Sequence, residues 1–346
     1  MSLDSARPSA PAQRTGTGSA RGALAHSRAY AGCRVVASDF PLEDVADHLR
    51  EPGSAVWIDL CGPSQAELAG LADRLGLHEL AVEDALHQRQ RPKVDRYATH
   101  EFVNVYAAWL DPRTCRLGTS ELAAFVTDNV LVTVRKDDRF DIDRVVRRWD
   151  AQEDLPGDQV AVLLHGLLDV VVDGHYQVVQ DLDERIDTLE DGVFDERGQQ
   201  EDVQRLSFQL RKSLVNLRRI SAPMREVLGA LMRRDRRIAE SRLLPYFEDV
   251  NDHVLRATEW ADSLRDLVTT ILDTRLAVQS NRLNVISKKV TSWAAIIAVP
   301  TAITGFYGQN VPYPGFSTVS GVIVSSSLIV LASLVLYVVF RRKDWL

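Results

Sequence analysis

The sequence predicts an α+β multi-domain membrane protein with an N-terminal cytoplasmic α/β domain, a long helical stalk and two C-terminal transmembrane helices, assembled as a ring-shaped homo-oligomer. Three observations support this fold class. Charge is dense up to Lys289, whereas Val290–Phe340 contains no Asp, Glu, Lys, Arg or His. Alternating strand-like segments occur only in the first half of the chain. Between Pro245 and Pro300 there is neither Gly nor Pro, which is typical of one continuous helix.

The first 30 residues are rich in Ser, Ala, Gly, Arg and Pro and contain few large apolar side chains. Such a segment cannot bury enough apolar surface to fold, so residues 1–30 are predicted to be a disordered tail. No apolar run follows Met1, and no signal peptide is predicted. The three cysteines are far apart and form no CxxC, so we interpret them as reduced thiols.

Residues 31–155 are predicted to form the cytoplasmic α/β domain. The apolar, β-branched segments typical of strands are Ala55–Leu60, Phe102–Leu110, Glu121–Thr127 and Val130–Arg135. A helix is expected over Ser64–Leu75, where Ser64 and Glu67 form a capping box, and another over Phe140–Trp149.

After residue 155 the sequence contains only helical patterns. Residues 156–240 are predicted to form a helical hairpin region from Asp158–Phe194 and Asp202–Arg237, the second interrupted near Pro223. Residues 241–307 are predicted to be a stalk helix that continues into the first transmembrane helix. At 1.5 Å per residue, a helix of about 60 residues would be roughly 90 Å long.

The two apolar segments, from about Val290 to Tyr307 and over residues 319–340, are long enough to cross a bilayer, which takes about 20 helical residues. Residues 308–318 form an uncharged loop, predicted to be external, and residues 341–346 a basic tail. By the positive-inside rule both termini are cytoplasmic, in a cell-membrane protein whose lipid partner is the bilayer. The charges expected to form a basic ring near the membrane are Lys288, Lys289, Arg341, Arg342 and Lys343.

A seven-residue repeat runs along the stalk helix. Its small or polar members form a stripe, and an apolar line runs through Leu276, Leu283, Val290 and Ile297. Two interpretations remain open: small residues permit close helix packing, or the stripe lines an aqueous path around a symmetry axis, which we favour. The predicted pore-lining residues are Asp273, Ser280, Asn284, Ser287, Val290, Thr291, Ala294, Ala298 and Thr301.

The first apolar span ends in Tyr307-Gly308-Gln309-Asn310. Here the chain resembles the CorA family of divalent-cation channels, which carries Tyr-Gly-Met-Asn at this place. Further segments that match the family are Glu83–Asp95, Phe247–His253, Ser280–Asn284 and the basic tail Arg341–Leu346.

The resemblance implies passive import of Mg²⁺, or of Co²⁺ or Ni²⁺, through a central pore of a homo-oligomer, five subunits in the family. It implies a selectivity filter at Gly308, Gln309 and Asn310, whose amide oxygens would accept hydrogen bonds from the waters that Mg²⁺ keeps. Val290 and Ala298 match the neighbourhood of the family's hydrophobic constriction. Gln309 stands where the family has Met, and the zinc-transporting ZntB branch also varies at this position.

The resemblance also implies a regulatory role for Glu83, Asp84 and Asp249, which match the family's metal sites between neighbouring cytosolic domains. Carboxylates that face each other across an interface repel. A bridging Mg²⁺ relieves that repulsion, so intracellular Mg²⁺ is expected to stabilise a closed ring and its loss to permit opening. Mg²⁺ is thus expected both as cargo and as regulator.

Other function classes are disfavoured. The formal net charge of −7 argues against a nucleic-acid partner. The sequence has no HExxH, no phosphate-binding loop and no recognisable catalytic triad, so no enzymatic activity and no organic cofactor are predicted. The alternatives that remain open are a Zn²⁺ transporter of the ZntB-like branch and a membrane metal sensor that does not conduct.

Overall fold

The protein was analysed as a computed structural model, which describes residues 23–32, 34–87, 90–151, 155, 157–193, 200–309, 312 and 314–345. The chain divides into two units. The first ends at Asp266 and contains the sheet and most of the helices. The second begins at Leu267 and contains the C-terminal apolar helices.

The first unit is built around a seven-stranded sheet. Its strands are β1 (Leu24–Ala31), β2 (Arg34–Ser38), β3 (Ser54–Cys61), β4 (Lys93–Arg96), β5 (Glu101–Leu110), β6 (Leu117–Val126) and β7 (Val130–Arg135). They lie in the order β2-β1-β3-β7-β6-β5-β4, and every neighbouring pair is antiparallel except β3 and β7. The four predicted strands are confirmed, whereas β1, β2 and β4 were missed.

The first strand corrects the predicted disordered tail. Leu24–Ala31 is an ordered strand that pairs with both β2 and β3, so the prediction of disorder is wrong for residues 24–30. Ala29 and Tyr30 are buried, because they pack against the sheet's two helical layers. The predicted tail that remains, residues 1–22, lies outside the described residues.

Ten helices complete the described chain. They are α1 (Val45–His48), α2 (Gln65–Leu75), α3 (Glu79–Leu86), α4 (Asp143–Ala151), α5 (Gln159–Val193), α6 (Gln200–Ser221), α7 (Met224–Arg234), α8 (Arg236–Ala239), α9 (Leu244–Tyr307) and α10 (Val319–Arg342). The predicted capping box at Ser64 and Glu67 and the interruption at Pro223 are present. The stalk helix is unbroken through Pro300, as predicted, although it begins at Leu244 and not at residue 241.

Successive strand residues point to opposite sides of the sheet, so the sheet has two apolar faces. Helices cover both of them. Ile58, Phe102 and Phe125 pack on one face with Leu68 of α2. Trp57 and Val103 pack on the other with buried residues of α4, α5, α7 and the first turns of α9. At the centre of the sheet, Arg135 on β7 forms a buried ion pair with Asp59 on β3, with Nη2 2.6 Å from Oδ2.

The second unit contains two apolar helical segments. Described helices long and apolar enough to cross a membrane are α9 and α10, and the most apolar windows of both are almost wholly exposed within the chain. Thr318 caps α10 by accepting a hydrogen bond from the Gly321 backbone N–H. Gly321 packs so tightly against the loop before α10 that a Cβ there would clash with the Gly315 carbonyl oxygen.

Candidate functional site

The predicted stripe of α9 lies on exposed helix surface. Each predicted pore-lining residue is exposed within the chain: the small or polar stripe members Asp273, Ser280, Asn284, Ser287, Thr291, Ala294, Ala298 and Thr301, and Val290 of the neighbouring apolar line. Because all of them belong to one continuous helix, the seven-residue spacing places them along one side of it. A single chain therefore leaves this polar surface free of packing against its own residues.

The apolar line beside the stripe is equally uncovered. Leu276, Leu283, Val290 and Ile297 are 60–64% exposed. Four large aliphatic side chains at heptad spacing form the seam through which helices associate with one another. In α9 the polar stripe and the apolar seam are therefore adjacent.

At the apolar C-terminal end of α9, the backbone contacts involve small residues. Pro300 has no N–H to donate to the Ile296 carbonyl, and one residue later the Thr301 hydroxyl donates to the Ile297 carbonyl oxygen at 2.8 Å. The Gly308 N–H donates to the Thr304 carbonyl oxygen at 2.8 Å, and a Cβ at Gly308 would lie 3.0 Å from that same oxygen. Any larger residue at 308 would have to displace this turn.

The predicted filter residues Gly308, Gln309 and Asn310 are consecutive in the sequence at this end of α9. Gly308 and Gln309 are exposed at the end of the helix, where the Gln309 N–H donates to the Phe306 carbonyl oxygen at 3.3 Å. Asn310 lies outside the described residues.

The predicted basic ring comes from the two helices of the second unit. Lys288 and Lys289 are exposed on α9, and Arg341, Arg342 and Lys343 are exposed at the end of α10. Trp345 folds back on the tail: its ring stacks on Phe340, with the ring centroids 5.7 Å apart. Lys343 Nζ lies 5.9 Å from the Trp345 ring centroid. An aromatic ring between an apolar helix and a cationic tail is typical of a membrane–water boundary.

The predicted regulatory acids of α3 are positioned differently from each other. Glu83 is exposed, and its carboxylate lies 3.9 Å from His87 Nδ1. Asp84 is half-buried and accepts a 2.6 Å hydrogen bond from Lys93 Nζ on β4. Lys136 holds the end of this helix by donating to the Ala85 and His87 carbonyl oxygens.

Asp249, the third predicted acid, is exposed on α9 within the first unit. Asp249 thus lies on α9, whereas Asp84 lies on α3 and contacts β4. One turn beyond Asp249 lies His253, which forms a cluster with Asp169 and Asp173: one ligand atom of each lies within 4.8 Å of the others.

Asp169 is the buried member of this cluster. Burial raises its pKa, and the nearby Arg148 guanidinium opposes that shift. Arg148 Nε lies 3.2 Å from Asp169, and its Nη2 pairs with Asp173. Carboxylate oxygens suit Mg²⁺ and the imidazole suits transition metals, so the donor set fits a divalent cation chemically. Arg148 supplies positive charge to the same carboxylates.

Sequence analysis missed Asp169, Asp173, His253, Lys93 and Arg148. A signal was available for the cluster, because Asp169 and Asp173 are spaced i, i+4 on a helix, as are Asp249 and His253. Nothing in the local sequence indicated that α5 and α9 bring these pairs together. The Lys93–Asp84 pair was equally hidden, since it joins a strand to a separate helix.

Comparisons with known proteins agree with this architecture. The family model "CorA-like Mg2+ transporter protein" matches residues 52–342. The cobalt/magnesium transport protein CorA of Thermotoga maritima is 31% identical over 314 residues, 89% of each chain. The zinc transport protein ZntB of Yersinia pestis is 24% identical over 286 residues, 78% of this chain and 81% of its own.

The solved structure of the CorA magnesium transporter from Methanocaldococcus jannaschii has the same fold. It superposes with a TM-score of 0.77 at 23% identity, over 92% of this chain and 98% of the other. The coverage extends over the sheet domain, the long helix α9 that carries the stripe and the apolar helix α10. The chain belongs to the CorA-like Mg²⁺ transporter family.

Proposed function

We propose that copies of this chain form a ring that imports divalent cations, Mg²⁺ foremost and Co²⁺ or Ni²⁺ as further cargo, through a central path lined by the α9 stripe. The observation that carries the proposal is the exposure of the stripe beside an exposed apolar seam on one unbroken helix. An apolar seam calls for neighbouring copies of the helix, and a ring of copies turns the polar side inward. The names of the relatives, magnesium and cobalt transporters, support this cargo.

Transport in this proposal is passive. Two positive charges that move inward through 100 mV contribute roughly 4.6 kcal/mol, which is enough to drive accumulation without a coupled reaction. The second unit contains no acidic residue or His within its apolar helical segments to relay protons. The family is one of transporters, in agreement with the prediction that the chain is not an enzyme.

Selection takes place where α9 ends. A ring of Asn310 amide oxygens accepts hydrogen bonds from the water shell that Mg²⁺ is reluctant to lose. Neutral acceptors bind the hydrated ion weakly enough for it to leave again. Gly308, which has no Cβ to press on the Thr304 carbonyl oxygen, permits the close turn that ends α9 just before this filter.

Regulation is assigned to the acids of the first unit. Glu83 and Asp84 of one subunit and Asp249 of the next bind intracellular Mg²⁺ and hold the closed ring together. His253, one turn beyond Asp249 on α9, groups with Asp173 and the buried Asp169 as a further set of cation ligands beside this site. Cation binding to the closed form alone stabilises it by mass action, so the pore opens when intracellular Mg²⁺ falls.

Zn²⁺ transport is the second candidate, favoured by one specific observation. Gln309 replaces the Met of the CorA signature, and a ZntB protein matches 78% of this chain. A Zn²⁺ carrier and a Mg²⁺ channel of one fold differ in cargo preference, which a flux experiment measures directly.

The test is uptake into liposomes by the purified full-length protein, with Mg²⁺, Co²⁺, Ni²⁺ and Zn²⁺ compared at equal membrane potential. Uptake of Mg²⁺ that follows the potential is expected, and Asn310→Ala is expected to abolish it without changing the assembly. Asn216→Ala is the matched control, because it removes an exposed amide from α6. Equal uptake by Asn310→Ala and the native protein would refute the filter; preference for Zn²⁺ would establish the second candidate.

A further inference from the structure

Lys93 holds two carboxylates at once. Its Nζ atom lies 2.6 Å from Asp84 Oδ2 on α3 and 2.7 Å from Asp95 Oδ2 on its own strand. Asp95 shares a strand face with Lys93, because the two are two residues apart on β4. The ammonium also lies 5.7 Å from the centroid of the Phe102 ring, on the neighbouring strand. The lysine is therefore fixed between two acids in a half-buried position.

This arrangement keeps Lys93 charged. Its two carboxylate partners lie within 2.7 Å of Nζ, and opposite charges at this distance favour the ammonium form. Lys93 and Asp84 each have 23% of their side chain exposed, so solvent screens the pair less than an ion pair on open surface. One of the two oxygens of Asp84 is thus held by a permanent cation from the same chain.

We propose that Lys93 is a tethered competitor for the regulatory cation at Asp84 and sets the Mg²⁺ concentration at which that site fills. The inference rests on the proposed function, in which Asp84 binds intracellular Mg²⁺. A divalent ion that coordinates Asp84 approaches the ammonium closely, and two cations on one carboxylate repel. Binding therefore requires Lys93 to leave Asp84.

Asp95 makes this exchange possible. When Mg²⁺ takes Asp84, the ammonium keeps its second carboxylate, so no half-buried charge is left without a partner. A lysine suits this role better than an arginine, because its ammonium is a compact point charge on a flexible stem, whereas a guanidinium grips a carboxylate with two parallel hydrogen bonds. Asp95 is thus the carboxylate that stays paired with Lys93 when Mg²⁺ displaces Lys93 from Asp84.

Lys93 could compete with Mg²⁺ for Asp84, or it could position Asp84 to bind Mg²⁺. These two roles predict opposite changes in Mg²⁺ affinity when Lys93 is removed. If Lys93 competes, its removal strengthens Mg²⁺ binding. If it holds Asp84 in a geometry that Mg²⁺ requires, its removal weakens Mg²⁺ binding. The experiment is limited proteolysis of the full-length protein in detergent, titrated with MgCl₂ at constant ionic strength. Its readout is the Mg²⁺ concentration that gives half-maximal protection.

Lys93→Met is expected to lower that midpoint about three- to tenfold, the range set by the loss of one partly screened positive charge near a divalent ion. Lys93→Arg keeps the charge and is expected not to lower the midpoint. Lys212→Met, which removes an exposed positive charge from α6, is the control for net charge and is expected to leave the midpoint unchanged. In EDTA, thermal unfolding monitors whether each variant is folded before titration.

Asp95→Asn gives an independent check. With its second carboxylate gone, Lys93 holds Asp84 more strongly, so the midpoint is expected to rise about two- to threefold. In the Lys93→Met background the same Asp95→Asn change is expected to have no effect, because Asp95 acts only through Lys93. An effect of equal size in both backgrounds would mean that Asp95 acts on Mg²⁺ directly and would overturn its assigned role.

Asp84→Asn separates failure of this inference from failure of the proposed function. It is expected to raise the midpoint tenfold or more. If it does so while Lys93→Met leaves the midpoint unchanged or raises it, Lys93 is not a competitor, although Asp84 remains a regulatory ligand. If Asp84→Asn changes nothing, Asp84 is not a regulatory ligand and the competitor role is refuted with it.

Discussion

Helix α5 and the distal part of α9 carry similar apolar residues but differ completely in their burial. In α5, Leu163, Leu164 and Leu167 are at most 1% exposed, because the sheet and neighbouring helices cover them. In α9, Leu276 and Leu283 are 64% and 60% exposed. The first unit therefore completes its core within one chain, whereas the second presents an apolar surface that requires partners from outside it. That difference separates a folded domain from a component of an assembly or a membrane.

The largest effect is expected where the exposed seam is given a charge. Leu283→Asp should prevent assembly of the native oligomer, because every copy of the helix would bury an unpaired carboxylate in the contact. Native mass spectrometry of the detergent-solubilised protein measures the subunit count. Asn281→Asp places the same charge on a different side of α9 and should preserve assembly. An intact oligomer with Leu283→Asp would show that this seam is not the contact between chains.

The next effect contrasts a buried leucine with an exposed one. Leu164→Ala in α5 should destabilise the first unit by about 2–5 kcal/mol and lower its thermal midpoint by roughly 10 °C, because the cavity is enclosed on all sides. Leu276→Ala removes the same atoms from the seam of the second unit and leaves the core of the first unit intact. It should move this transition by less than about 2 °C, as followed by tryptophan fluorescence. Equal shifts would mean that the two leucines are equally covered in the assembled protein.

The stability of the first unit should also be sensitive to acid, through His175 of α5. Its Nε2–H donates to the Tyr106 carbonyl oxygen at 2.7 Å, and burial lowers the pKa of the imidazole to about 4. The unfolded chain takes up this proton near pH 6.5, whereas the folded chain does not until about pH 4. The stabilising contribution is therefore complete above pH 6.5 and is lost as the pH falls toward 4.

That loss amounts to about 3 kcal/mol when the pKa difference is converted at 1.36 kcal/mol per unit. Urea unfolding of the native protein and His175→Gln at pH 7 and pH 5 measures about 2 kcal/mol of it, because pH 5 lies about 1.5 units below the unfolded pKa and still above the folded one. The variant should lose less stability on acidification than the native protein, whatever its stability at pH 7. His87→Gln, at an exposed position, is the control. A pH dependence identical in both proteins would show that His175 does not contribute.

The smallest effect concerns helix caps. Ser64 accepts a hydrogen bond from the Glu67 N–H of α2, and Ser64→Ala should cost about 1 kcal/mol and lower the thermal midpoint of the first unit by roughly 2–4 °C. Thr318 caps α10 in the same way in the second unit. Thr318→Ala should leave the transition of the first unit where it is. A matching shift from both variants would indicate that the two units unfold together.

Local patterns in the sequence predicted much of this architecture. The absence of Gly and Pro after Pro245 predicted the continuous α9, and the capping box predicted the start of α2. The seven-residue repeat predicted a polar stripe beside an apolar seam, both of which are exposed. The β1 strand was missed because its composition resembles that of the tail before it. Its order comes from pairing with β3, some thirty residues away.

Periodicity, capping and charge-free length are properties of neighbouring residues, and they were sufficient to predict the long helices, the segments apolar enough to cross a membrane and the stripe of α9, but not the short helices α1 and α3. Contacts between distant parts of the chain were decided only by the tertiary structure. Asp84 meets Lys93 because α3 packs beside β4, and Asp169 and Asp173 meet His253 because α5 packs beside α9. Such pairs depend on how whole elements are arranged. No local pattern in the sequence predicts which carboxylate pairs with which cationic side chain.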